Sequence, residues 1–141
     1  MILAVETATT GFLLARLGAE ARRRWSRMLA EHELAPHHFA VLMSLDTAGP
    51  AHQQRVSDMI GVDPRNTVAL VDLLHRRGLV ARGVDAADRR RTVLSLTGPG
   101  AELLGRLREQ VETVEAAMLA GLPEPDRRAL HDLLSRLAAT V

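Results

Sequence analysis

Cysteine, tyrosine and lysine are all missing from these 141 residues, and the aromatic rings amount to one tryptophan and two phenylalanines. Without cysteine there is no disulfide framework, no thiol redox sensor and no cysteine-ligated metal. So few aromatics leave a core of leucine, valine and alanine, which suits packed helices better than a large aromatic-rich sandwich. No apolar run approaches the length of a bilayer span, and the opening MILAVETATTG lacks a basic leader, so a soluble cytoplasmic protein is expected. No phosphate-cradling glycine loop, paired catalytic carboxylates or Ser–His–Asp arrangement can be assembled from the spacing. Neither an enzyme nor a cofactor is therefore expected. His37 and His38, with His32 nearby, do not suggest a metal: neighbours on a helix point about 100° apart rather than chelating as an i, i+4 pair.

What is present is one domain's worth of chain, with nearly half of its residues apolar. Every basic residue is arginine, and the charge is uneven. Residues 1–54 hold five arginines and five acids, residues 55–100 eight arginines and five aspartates, and residues 101–141 five arginines and seven acids. An anionic partner would therefore meet the middle of the chain.

Proline and glycine punctuate that chain into elements. From about Ala8 to Glu31, Leu14, Leu17, Ala21, Trp25 and Met28 recur at helical spacing. A second helix starts after Pro36 and stops at Gly49-Pro50, and a short third one runs from Gln53 to Ile60 with Gly61 as its stop. "GVDPRNTVALVDLLHRRG" is a fourth, capped by Asp63, opened by Pro64 and ended by Gly78. "LVAR" and "TVLSL" are two short strands, and the polar "GVDAADRRR" between them is a hairpin tip. Thr97-Gly98-Pro99-Gly100 breaks the strand, a long helix follows to about Ala120, and a last helix carries Leu130, Leu133, Leu134 and Leu137.

A short helix, a tight turn, a capped helix and then a two-stranded ribbon make a winged helix-turn-helix signal. Such a helix fits a B-DNA major groove about 12 Å wide. Arginine suits the ribbon, because a narrow minor groove focuses negative potential on a planar, weakly hydrated cation. This gives Arg89, Arg90 and Arg91 a purpose that a solvated turn would not. Asp88 has two open roles, capping the turn or pairing with a wing arginine. Arg65 and Asn66 lie in the first turn of the capped helix, where amide groups also favour phosphate. Gln53, Gln54, Arg76 and Arg77 suit backbone phosphates or an ordinary solvated surface equally.

The stretch from Leu34 to Thr97 resembles the MarR family of transcriptional regulators, through "LAPHHFAVLMSL", "QQRVSDMIGVDPRNTVALVDLLHRRGLVAR" and above all "DAADRRRTVLSLT". The resemblance implies a mainly α fold with a small β-hairpin wing: a winged helix-turn-helix lobe at 34–97 within a single 1–141 domain, and dimerisation helices at 8–31 and 99–141. It implies a homodimer on a pseudo-palindromic double-stranded operator, acting as a ligand-responsive repressor. Carried onto this chain, Arg90 is the wing arginine, Asp88 the acid that steadies it, and Arg65, Asn66, Val68, Ala69 and Asp72 the exposed side of the recognition helix. Ala69 departs from the basic or polar residue common there; with Val68 it suits thymine methyl groups instead. The family's small aromatic or phenolic effectors bind beside the second helix, which places Trp25, His38 and Met43 along such a pocket. The alternative is a winged-helix dimer that serves as a protein-interaction module without specific DNA binding.

Overall fold

The computed structural model describes residues 5–141; the leader reading falls partly on residues 1–4 and there lies outside the described residues. Along the chain run α1 (Thr10–Ala30), α2 (Pro36–Ala48), β1 (Ala51–His52), α3 (Gln53–Ile60), α4 (Pro64–Arg76), β2 (Val80–Val84), β3 (Thr92–Leu96), α5 (Gly98–Met118) and α6 (Glu124–Ala138). Among the described residues, no helix is long and apolar enough to cross a membrane.

Local chemistry sets most of these boundaries. Thr9 caps α1 by accepting from the Phe12 amide at 3.1 Å. Gly61 ends α3 in the left-handed region at φ 68°, which costs a residue without Cβ nothing. The Asp63 carboxylate accepts from the Arg65 amide at 2.8 Å and so caps α4. At the start of α5 one hydroxyl serves two elements. Thr97 Oγ1 accepts from the Gly100 amide at 3.0 Å and donates to the Gly78 carbonyl at 2.7 Å, tying α5 to the end of α4. The Thr97-Gly98-Pro99-Gly100 break thus ends the strand but is itself the first turn of α5. Gly100 is needed there, because a Cβ on it would overlap the carbonyl oxygen of Leu79.

The wing differs from the expected two-stranded ribbon. Its strands pair antiparallel, with Val80 opposite Leu96 and Val84 opposite Thr92. A third strand, β1, joins the other edge of β3, with Ala51 opposite Leu94, giving the order β1-β3-β2. Two residues are too few to show a period in sequence, so β1 carries no strand signal of its own.

The core gathers Leu29 from α1, Val41, Leu42 and Leu45 from α2, Val56 from α3, Val71 and Leu74 from α4, Val80 and Leu94 from the sheet, and Leu104 and Leu107 from α5. All are fully buried, and all are aliphatic. The first half of α1 and the whole of α6 stand outside this core. Phe12, Leu14 and Leu17 on α1 are exposed, as are Leu133, Leu134 and Leu137 on α6, which has no buried residue at all.

Candidate nucleic-acid interface

The helix-turn-helix is locked from within by two hydroxyls. Ser57 Oγ on α3 donates to Thr67 Oγ1 on α4 at 2.8 Å, and the Thr67 hydroxyl donates onward to the Asp63 carbonyl at 3.3 Å. Both side chains are buried. With Thr67, Val71 and Leu74 facing inward, the helical period turns Arg65, Asn66, Val68 and Ala69 outward, and all four are exposed. Arg65 stands almost free, 91% exposed, with its Nε 3.4 Å from Asp63. Arg76 is exposed in the last turn of α4. Gln53, half-buried, opens α3, and Gln54 donates to Asp58 at 3.2 Å. Arg77 reaches back to the Glu33 carbonyl at 3.3 Å, so its guanidinium serves the α1–α2 turn.

Asp72 differs from the rest of the expected reading surface. Arg82 of β2 forms an ion pair with it, so this carboxylate holds the wing against α4 instead of facing a base alone. Nothing local in the sequence signals that pair, because it joins a helix to a strand ten residues on.

The hairpin tip is a compact loop. The Asp85 amide donates to the Arg91 carbonyl at 3.1 Å, and the Arg91 amide to the Asp88 carbonyl at 3.0 Å. Asp88 Oδ1 accepts from the Arg90 amide at 3.1 Å and from Arg90 Nε at 3.2 Å. Both roles open to Asp88 in the sequence are therefore filled at once: it caps the turn and pairs with Arg90. That hydrogen bond from the Arg90 side chain, with the one from its amide, holds the Asp88 carboxyl below the ordinary aspartate range. Arg90 itself remains 91% exposed, and Arg89 and Arg91 are exposed beside it.

Every aspartate of the basic middle is engaged. Asp58 accepts from Gln54, Asp63 caps α4, and Asp72, Asp85 and Asp88 hold Arg82, His52 and Arg90. Among the described residues, Arg55, Arg76, Arg89 and Arg91 form no ion pair, so the positive excess of this lobe faces solvent.

A second feature is a cleft of about 860 Å³ between α1, α2 and α5. Trp25 and Met43 line it, together with Arg22, Phe39 and Val111. His38 does not; His37 does. The His38 ring is turned back along its own helix, where Nδ1 accepts from the Ala35 amide at 2.9 Å and caps α2. Burial, helped by the positive charge of Arg77, pushes the His38 imidazole below its usual pKa. Among the described residues Trp25 Nε1 is buried with no hydrogen-bond partner. His32, the third of the histidines, lies 2.8 Å from Gln110 of α5.

A helix-turn-helix whose second helix is flanked by an arginine-tipped, braced ribbon defines a winged-helix DNA-binding protein. The comparisons narrow this class. The model of the MarR family matches residues 32–91. A Thauera aromatica protein ascribed to transcriptional regulation of the hcr operon is 30% identical over 128 residues, which span 90% of this chain and 77% of that protein. The chain belongs to the MarR family, and is a DNA-binding transcriptional regulator rather than an enzyme. Two solved structures, each 29% identical to it, are similar over nearly the full length. The repressor CouR, bound to a 23-mer DNA duplex, superposes with a TM-score of 0.84 over 98% of both chains. The PcaV regulator of Streptomyces coelicolor, in complex with its natural ligand, superposes with a TM-score of 0.76 over 99% of this chain and 98% of that one.

Proposed function

We propose that the protein works in the cytoplasm as a homodimeric repressor of a pseudo-palindromic operator. α4 enters the major groove and the wing reaches the adjacent minor groove, and a small aromatic or phenolic ligand in the α1–α2–α5 cleft releases the DNA. The observation that carries this reading is the wing tip. Arg90 hydrogen-bonds Asp88 through its amide and its Nε and yet is 91% exposed, which leaves its guanidinium open to another molecule. Arg65, Arg76, Arg89, Arg91 and Gln53 then serve phosphates, while Asn66, Val68 and Ala69 face base edges. That assignment makes the protein a reader of thymine methyls more than of guanine. The solved complex of CouR with a duplex supports DNA binding, and that of PcaV with its natural ligand supports a ligand-binding role. For the cleft, Trp25 and Met43 supply the walls for a flat ring. His37 takes the place that the sequence suggested for His38.

A homodimer follows from the leucines that this chain leaves uncovered on α6. Two lobes related by a two-fold axis set half-site centres about 10–10.5 base pairs apart, or a multiple of this. Arg90→Ala is the direct test. On a duplex enriched by the wild-type protein from a random pool, titrated at fixed salt, it should weaken binding by about 1–3 kcal/mol with thermal stability unchanged. Wild-type affinity in that variant removes the wing from DNA binding. A wild-type protein that enriches no sequence at any salt concentration removes the operator reading altogether.

A further inference from the structure

Asp85 lies at the root of the wing loop. Its amide closes the loop onto Arg91, and its Oδ1 accepts from the Ala87 amide at 2.8 Å. Its second oxygen, Oδ2, lies 2.7 Å from Nε2 of His52. His52 is no part of the hairpin. It is the last residue of β1, pairs with Val93, and stands at the N-cap of α3. One imidazole therefore joins the entrance of the helix-turn-helix to the root of the loop bearing the three arginines, across 33 residues of sequence. The two side chains are 31% and 22% exposed, so their hydrogen bond is partly shielded from water. The Asp85 carboxyl is held below its ordinary range, chiefly by this hydrogen bond and then by the one from Ala87. An ionised carboxylate only accepts, so the histidine nitrogen is the donor.

We propose that His52 is a positioning residue for DNA binding: acting through Asp85, it fixes the wing loop relative to α3 and α4, so that Arg90 meets the duplex already aimed. This rests on the wing reading above. Beyond the last strand pair, Val84 with Thr92, the loop keeps only its own turn hydrogen bonds, and a hairpin by itself is marginally stable in water. The Arg82–Asp72 pair braces the strand against the recognition helix, and the His52–Asp85 bond braces the loop itself. A loop freed at its root would have to be ordered again on binding, at a cost that appears as lost affinity.

Amide hydrogen exchange in the free protein and affinity for the wild-type-enriched duplex, both at fixed pH and salt, test this together. His52→Leu should speed exchange over residues 85–91 by about tenfold, the worth of one charge-assisted hydrogen bond. The amides of α3 and α4 should be unaffected, and duplex affinity should fall by about threefold to tenfold. His52→Gln, which retains a donor, should restore most of both. Asp85→Asn weakens the same bond from the other side without touching β1, and should act in the same direction. In an Arg90→Ala background the effect of His52→Leu on affinity should shrink, because the brace acts chiefly through that arginine and only the phosphate contacts of Arg89 and Arg91 remain to be aimed. Unchanged loop exchange in His52→Leu overturns the brace. Faster exchange with wild-type affinity overturns the positioning role, and so does an undiminished loss in the Arg90→Ala background. If Arg90→Ala itself binds normally, the wing reading fails, while the exchange data still judge the brace without any DNA present.

Discussion

His38 shows how a residue's place on a helix can be legible in sequence while its neighbours are not. Its place near the start of the second helix was legible; which way its ring turns was not, because two adjacent histidines differ only by about 100° of helical rotation. The ring of His38 accepts a hydrogen bond from Ala35 and caps α2, and His37 faces the cleft. An acceptor nitrogen must be unprotonated, and burial likewise favours the neutral ring. The folded-state pKa is therefore below the unfolded value of about 6.5. Between the two values the unfolded chain binds more protons, so this contribution is fully present above about pH 6.5 and is lost as pH falls through the window beneath it. Urea unfolding should give a lower midpoint at pH 5.5 than at pH 7.5. His38→Gln, whose side-chain oxygen can accept without titrating, should narrow that difference. A variant with the wild-type pH dependence would place the titration elsewhere. Asp72 is the companion case. Helical period puts it correctly on the outward side of α4, but period says nothing of Arg82, which reaches it from another element.

At the scale of elements, legibility followed local chemistry. Asp63, Pro64 and Gly78 mark the ends of α4 because capping, a fixed φ and a left-handed stop are properties of one or two residues. β1 offered no such mark: it exists only because β3 has an edge for it. The hydroxyl lock between α3 and α4 was equally invisible, since Ser57 and Thr67 are ordinary helix residues until the turn brings them within 2.8 Å. This lock holds the recognition helix at its angle to the rest of the lobe. Thr67→Val keeps the shape but leaves the Ser57 hydroxyl buried and unpaired, which should cost about 1–3 kcal/mol of stability. Removing both hydroxyls, in Ser57→Ala with Thr67→Val, should cost less than the single change, because no polar group is then stranded. Chemical denaturation of Ser57→Ala, Thr67→Val and the double variant checks the order. A double variant that loses the sum of its parts would show that the two hydroxyls act independently.

At the scale of the whole molecule, the apolar stripes of the first and last helices are legible as faces, yet this chain leaves the first half of α1 and all of α6 outside its core. Leu133, Leu134 and Leu137 are 58%, 40% and 48% exposed, on a helix with no buried residue. Full burial of a leucine contributes about 1.5–3 kcal/mol, and a two-fold axis uses each position twice. Covering the exposed halves of six side chains thus yields on the order of 5–9 kcal/mol before the costs of association. That is enough to make these leucines decisive for the proposed dimer. Leu133→Asp with Leu137→Asp puts four carboxylates into such an interface without touching the core around Leu42 and Leu74. The variant should sediment as a monomer and keep its helix content. It should also lose most of its affinity for the duplex, since a single lobe holds one half-site and neutralises half the phosphates. The dependence of log affinity on log salt should flatten by about half for the same reason. A variant that stays dimeric would place the interface on other residues, and a monomer that binds with the full salt dependence would mean that one lobe alone accounts for the wild-type contact with DNA.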